Sequence, residues 1–148
     1  MSVHRTMLAL SAAAAGVASL LVVPGATAAD GGRPISVEMT GAAERPGPGD
    51  PDGSGTAMFT VNPGQEEVCY VLTVEDIAPA TAAHIHRAPV EDPGPVVVPL
   101  AAPTSGTSSG CAEVSRELAL ELIRDPGAFY VNVHNVEFPA GAVRGQLG

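Results

Sequence analysis

Apolar and polar residues alternate along several short segments of this chain, and clusters of Gly, Pro and Asp separate those segments. Residues 35–39 and 56–61 both alternate in this way. Alternation with a period of two is typical of a strand that buries one face, and Gly/Pro clusters are typical of the turns between strands. The pattern therefore favours a mostly β domain with antiparallel strands.

Further segments with strand character complete a set of seven or eight: residues 68–74, 82–87, 96–98, 129–136 and 143–147. A Gly/Pro/Asp-rich loop is predicted over residues 41–55. One short helix is predicted after Ser115, which can cap its first turn, and Pro126-Gly127 ends it. Many short strands with turn signals between them predict an antiparallel sandwich or barrel of seven to eight strands with one short helix.

The N-terminus has the pattern of an export signal. Arg5 gives a basic start, residues 8–23 carry no charge, and Ala26-Thr27-Ala28 has the small-x-small spacing of a cleavage site. We predict a signal peptide over residues 1–28 and one domain over residues 29–148, with an uncleaved anchor as the alternative. No later stretch reaches the roughly 20 apolar residues of a membrane span. We therefore expect a secreted or cell-envelope protein.

The charge balance restricts the possible partners. The chain has 16 acidic residues against seven basic ones, all of them arginine, and a net charge of −9. An acidic chain without a basic patch repels nucleic acid and anionic membranes, so we exclude nucleic acid as a partner. A protein or a small ligand stays open as the partner.

Two cysteines, Cys69 and Cys111, are present in a chain that we expect to be exported. In an oxidising compartment a disulfide between them is the expected state. Free thiols and soft metal ligands remain as alternatives, but neither cysteine belongs to a CxxC or CxxH motif, which metal sites usually show.

Two segments resemble the signature of the CHRD (chordin) domain family, including its exported bacterial members. The first is His84-Ile85-His86 with the later run Gly-Pro-Val-Val-Val-Pro-Leu at residues 94–100, and the second is Phe-Tyr-Val-Asn-Val-His at residues 129–134 with Pro139-x-Gly-x-x-Arg-Gly-Gln-Leu. The resemblance covers residues 35–148 and implies a Greek-key β-sandwich or barrel. In chordin the domain belongs to an extracellular antagonist of growth factors. The chain departs from the family pattern at Ala88 and Ala142.

A fainter resemblance, in order and spacing only, links the chain to copper–zinc superoxide dismutases. Those Greek-key proteins also carry an HxH strand, a late Val-His and a Gly-rich segment with an arginine that guides superoxide. The resemblance implies a copper redox enzyme as an alternative function. However, such an enzyme needs further histidines, and only three follow residue 28.

The three histidines after residue 28 are candidate ligands for one transition-metal ion. Because side chains alternate along a strand, His84 and His86 point to the same face, and Ile85 points to the core. His134 shares the outward phase of its strand. If the two strands are neighbours, three neutral imidazoles converge, and such a set suits copper or zinc. A polar cluster that binds no metal is the alternative.

Four further residues could support that site: Tyr130, Asn132, Glu137 and Arg144. Arg144 could pair with Glu137 or present its charge beside the histidines. No nucleophile, phosphate-binding or dinucleotide motif is present, so we assign no catalytic residue and regard an enzyme as the less favoured class. The favoured function is an exported binding module of unknown ligand, with or without one copper or zinc ion. A structural extracellular interaction domain without metal is the other alternative.

Overall fold

A computed structural model describes residues 31–148 of the chain, and the predicted signal peptide at residues 1–28 lies outside that range. Within the range, eight strands make up the domain: β1 (Arg33–Thr40), β2 (Ser54–Asn62), β3 (Glu67–Glu75), β4 (Ala82–Arg87), β5 (Val96–Leu100), β6 (Thr107–Glu113), β7 (Phe129–His134) and β8 (Val143–Gln146). One α-helix, α1 (Arg116–Arg124), and two 3-10 turns, Gly41–Ala43 and Pro126–Ala128, complete the described part. The predicted numbers of strands and helices are confirmed.

The eight strands form one antiparallel sheet in the order β5-β4-β7-β8-β1-β2-β3-β6. β7 and β8 insert between β4 and β1, so strands that are distant in the sequence become neighbours, as in a Greek-key arrangement. The sheet curls until its two edges approach each other, where Ser108 of β6 donates a 2.7 Å hydrogen bond to the Ala101 carbonyl just after β5. The result is a nearly closed barrel, and the predicted fold class is confirmed.

The inward faces of the strands build one hydrophobic core. Its fully buried members include alternate residues of β2, β3, β4 and β7, among them Ala57, Leu72, Ile85, Phe129, Val131 and Val133. Burying a side chain of this kind contributes roughly 1.5–3 kcal/mol, so these positions drive the fold. The predicted inward direction of Ile85 is confirmed, and Phe129, Val131 and Val133 alternate in the same way along β7.

Helix α1 begins where the sequence predicts it. The Ser115 side chain accepts a hydrogen bond from the backbone N–H of Leu118 at 3.1 Å, which satisfies one of the free donors at the helix start. Ala119 and Leu122 are fully buried and attach the helix to the core. Within residues 31–148, no helix is long and apolar enough to cross a membrane.

The segment predicted as a loop over residues 41–55 is partly regular and closely packed. It starts with the 3-10 turn Gly41–Ala43, and β2 already begins at Ser54. Between them, the Asp50 N–H donates to the Ala142 carbonyl at 2.8 Å, beside β8. Glu44 is buried at 2% exposure although the segment is polar. The loop therefore covers part of the outer face of the sheet.

Cys69 and Cys111 lie directly opposite each other in the paired strands β3 and β6. A disulfide joins them, across a sequence separation of 42 residues. Because cross-strand partners have neighbouring Cβ atoms, this register brings the two sulfurs within bonding distance. The bridge fastens the edge strand β6 to the sheet.

Candidate metal site

Three histidines lie side by side on the outward face of two neighbouring strands. The antiparallel register of β4 and β7 places His84 opposite Asn132 and Ala82 opposite His134. His134 is therefore the diagonal neighbour of His84, and their ring centroids are 5.0 Å apart. The rings of His84 and His86 are 5.4 Å apart. One ring nitrogen of each histidine lies within 4.8 Å of the other two, so the three predicted ligands are brought together.

Backbone carbonyls assign the tautomers of two of these rings. His86 Nδ1 lies 2.8 Å from the Gly94 carbonyl oxygen, and His134 Nδ1 lies 3.1 Å from that of Pro139. A carbonyl only accepts, so each Nδ1 carries the proton in these contacts and each Nε2 keeps its lone pair. A carbonyl that holds Nδ1–H in this way is the usual support of a metal-binding histidine.

The two Nε2 lone pairs have different surroundings. His134 Nε2 lies 3.1 Å from His84 Nδ1, within hydrogen-bond distance. His86 Nε2 is buried and has no hydrogen-bond partner among residues 31–148. A buried acceptor without a partner costs stability, and such atoms are rare in native proteins. A bound cation would satisfy it.

The surroundings of His84 and His134 favour the neutral forms of these two imidazoles. Burial lowers the pKa of His84, and the neighbouring His134 and His86 lower it further. Burial also lowers the pKa of His134, against an opposing contribution from its hydrogen bond to Pro139. Both imidazoles are therefore neutral at neutral pH, and neutral imidazole is the form that binds metals.

Aromatic and cationic side chains lie next to the cluster, on the same face of the sheet. The Tyr130 ring stacks on the His86 ring with centroids 4.7 Å apart and an angle of 5° between the planes. The Arg144 guanidinium lies 3.5 Å from the centroid of Tyr130. Tyr130, Asn132 and Arg144 are all buried, at 3%, 2% and 1% exposure. These three residues therefore form a buried polar layer beside the histidines, on the same face of β7 and β8.

A buried carboxyl group, Glu44, completes this layer and was missed from the sequence. Burial raises its pKa to about 7, against the opposing effects of Arg144 and of a hydrogen bond with Asn132. Its Oε1 atom and Asn132 Oδ1 have no hydrogen-bond partner among the described residues. Gly141, at φ 146°, leaves room for this carboxyl, because a Cβ there would lie 2.2 Å from Glu44 Oε1. In the sequence, Gly141 is the one residue whose type is consistent with a close approach of the Glu44 carboxyl to the backbone.

The expected roles of Glu137 and Arg144 need correction. Glu137 is exposed, and the carboxyl groups that interact electrostatically with Arg144 are those of Glu44 and, more weakly, Glu91. The Arg144 side chain donates to the carbonyls of Pro89 and Asp92, each at 3.0 Å. Because these contacts bury it almost completely, Arg144 does not present its charge to an anion in solvent.

A second group of potential ligands, Glu67 with Cys69 and Cys111, also falls within 4.8 Å. Both sulfurs are consumed by the disulfide. A disulfide has no thiolate to offer, so this group is not a metal site in the oxidised protein.

The fold and the cluster together define a class: an antiparallel β-barrel domain with a polar, histidine-bearing patch on one outer face. A family model of the CHRD domain matches residues 35–147. The chain therefore belongs to the CHRD domain family, and the resemblance inferred from its two motifs is confirmed. No curated protein and no solved structure matches the chain.

Proposed function

We propose that this protein is an exported CHRD-domain binding module that holds one copper or zinc ion through His84, His86 and His134. The observation that carries the proposal is that one ring nitrogen of each histidine lies within 4.8 Å of the corresponding nitrogens of the other two. Its strongest component is the buried His86 Nε2, which lacks a hydrogen-bond partner among residues 31–148. A cation at this point would give that lone pair a partner.

The spacing of the nitrogens fits a metal after a small adjustment. Metal–imidazole bonds of about 2.0–2.1 Å in tetrahedral geometry place the ligand nitrogens about 3.4 Å apart. The separation of His84 Nδ1 from His134 Nε2, 3.1 Å, is already near this value. His84 and His134 are only half-buried, so their rings have room to move toward His86.

The ligand set favours copper over zinc. Three neutral imidazoles suit both ions, and the order of affinities for divalent ions in nitrogen sites places Cu²⁺ above Zn²⁺. Both cysteines are in the disulfide, so the described residues offer no thiolate, the ligand that would favour a softer ion. Three protein ligands leave one position for water or for a ligand that the module binds.

Export is part of the proposal. The disulfide between Cys69 and Cys111 fits an oxidising compartment, and the N-terminal pattern fits cleavage after Ala28. A superoxide dismutase-like activity has less support. It would need an accessible cation near the metal to attract superoxide, whereas Arg144 is 1% exposed.

The test is a calorimetric titration of Cu²⁺ and Zn²⁺ into metal-free protein collected after export, whose intact mass is expected to correspond to a start at Ala29. We expect one ion per chain, with Cu²⁺ bound more tightly. His86→Ala and His134→Ala should each abolish tight binding, because two imidazoles remain. Glu137→Gln is the matched control: this carboxylate is exposed beside the site, and its loss should leave the affinity unchanged.

Binding that survives both histidine substitutions would refute the metal site. No binding by the folded wild-type protein would do the same and would favour an interaction domain without metal. Superoxide consumption by the copper-loaded protein, measured in parallel, separates a redox enzyme from a metal-binding module.

A further inference from the structure

The segment 88–95 between β4 and β5, called the strap below, is fastened to the sheet by a buried arginine. Arg144 Nη1 donates to the Asp92 carbonyl and Nη2 to the Pro89 carbonyl, both at 3.0 Å. Next to it, Gln146 Nε2 donates to the Ala88 carbonyl at 2.8 Å. Two strand β8 side chains thus hold three successive parts of the strap. A planar guanidinium is well suited to bind two carbonyls at once.

The far end of the strap contacts the histidine cluster. The Gly94 N–H donates to the Tyr130 hydroxyl at 3.2 Å, while the Gly94 carbonyl accepts from His86 Nδ1 at 2.8 Å. A Cβ at residue 94 would lie 2.0 Å from the Arg87 carbonyl oxygen. Only glycine allows the strap to approach β4 this closely, and the approach brings its carbonyl to His86.

Arg144 also supports His86 through the ring of Tyr130. Its guanidinium lies 3.5 Å from the centroid of Tyr130, whose ring stacks in parallel on His86. A cation over an aromatic face is attracted by it, more strongly when both are out of water. Arg144 thus supports both contacts of the His86 ring: the Gly94 carbonyl at its Nδ1 and the Tyr130 ring that stacks on it.

We infer that the strap held by Arg144 is the device that positions His86: it keeps the proton on Nδ1 and leaves the Nε2 lone pair facing the cluster. Arg144 and Gly94 are positioning residues and do not contact a metal. The relevance to metal affinity rests on the proposed function, but the effect on the tautomer does not. The buried Arg144 therefore acts here as a support for the strap and does not attract an anion from solvent.

The test measures the His86 tautomer directly, by long-range proton–nitrogen NMR correlations of the imidazole rings in metal-free protein. Two variants weaken the strap: Arg144→Lys keeps the charge but lacks the planar fork whose two nitrogens reach the two carbonyls, and Gly94→Ala displaces the strap at its contact with β4. Glu91→Gln is the matched control. It lies on the same strap and loses its ion pair with Arg45, whose atoms are 3.2 Å apart, and a minor electrostatic attraction to Arg144, but none of the hydrogen bonds between the strap and β8.

We expect one tautomer, with the proton on Nδ1, in the wild type and in Glu91→Gln. Both strap variants should show a mixture of tautomers and a Cu²⁺ affinity lower by about 10–100-fold, the usual effect of losing the support of a metal ligand. An unchanged tautomer in Gly94→Ala overturns the inference even if Arg144→Lys does not fold. If the strap variants change the His86 tautomer but the wild-type protein binds no metal, the proposed function is refuted and the inference about the strap stands.

Discussion

The outward side chains of β2 and β3, one half of the sheet, and those of β7 and β8, in the other half, differ in their exposure to water, although both sets alternate with core residues. In β2 and β3, the outward side chains of Met58 and Val71 are 60% and 47% exposed, although both are apolar. In β7 and β8, the outward side chains of Tyr130, Asn132 and Arg144 are at most 3% exposed, although all three are polar. Direction away from the core therefore does not determine exposure to water.

Two connecting segments cause the difference. The strap covers Arg144 and Tyr130, and the segment between β1 and β2 places Glu44 against Asn132. Buried polar groups are costly unless they find partners. Here Arg144 and Tyr130 find them in the strap, whereas Glu44 Oε1 and Asn132 Oδ1 have no hydrogen-bond partner among the described residues. The covered face is thus a polar layer outside the hydrophobic core, with the histidines at its surface. The comparison suggests that function is located in the covered half.

The largest effect should come from removing the buried arginine. Arg144→Met removes the cation that interacts with Glu44 and leaves two strap carbonyls without donors, so we expect the free energy of unfolding to fall by about 2–6 kcal/mol, roughly 1–3 kcal/mol for each carbonyl. Met58→Thr on the exposed face should change it by less than about 0.5 kcal/mol. Urea unfolding of both variants measures the two values. Similar losses at the two positions would contradict the distinction between the halves.

Removing the disulfide should destabilise the protein without disturbing the covered half. The bridge closes a loop across a separation of 42 residues, and a loop of this size contributes about 4 kcal/mol, less any strain. We therefore expect the double variant Cys69→Ser, Cys111→Ser to unfold at a lower urea concentration. Its imidazole nitrogen shifts should match those of the wild type. Displaced histidine signals would show that the two halves are coupled.

The smallest of the three effects concerns Glu44 and pH. Burial raises its pKa from 4.5 to about 7, so between these values the folded state binds more protons than the unfolded state. Stability should therefore fall as pH rises through this interval, by about 3 kcal/mol in total, and stay level above it.

Glu44→Gln tests this expectation, because the amide cannot ionise and should remove that contribution to the slope. The exposed Glu75, at the end of β3, provides the control variant Glu75→Gln, which should retain the wild-type pH profile. Unfolding free energies measured from pH 4.5 to pH 8 check both. An unchanged slope in Glu44→Gln would mean that its carboxyl ionises as freely as an exposed one.

Much of the site could be predicted because its signals are local. Alternation alone places His84 and His86 on one face with Ile85 in the core, and the structure confirms this direction. The contact of His134 with His84 depended on a further condition, the pairing of β4 with β7 across 50 residues of chain. That pairing stayed an open condition of the prediction, because periodicity does not say which strands are neighbours.

Other features had no local signal. Nothing in the sequence around Glu44 distinguishes it from an exposed loop glutamate, and its burial arises from packing of the 41–53 segment against β8. For the same reason Glu137 was a plausible partner of Arg144 by proximity in the sequence, whereas in space Arg144 binds the carbonyls of the strap and interacts electrostatically with Glu44. Long-range packing of loops is not encoded in the period of a strand.

The sequence by itself determined the β class of this domain, the inward direction of Ile85, the outward direction of the three histidines and the start of its helix, because backbone geometry and capping act over a few residues. Only the tertiary structure decided which strands are neighbours, which outward residues are covered, and which carbonyls hold His86 and His134. Those contacts join residues far apart in the chain, and their energies depend on the packing of the whole barrel.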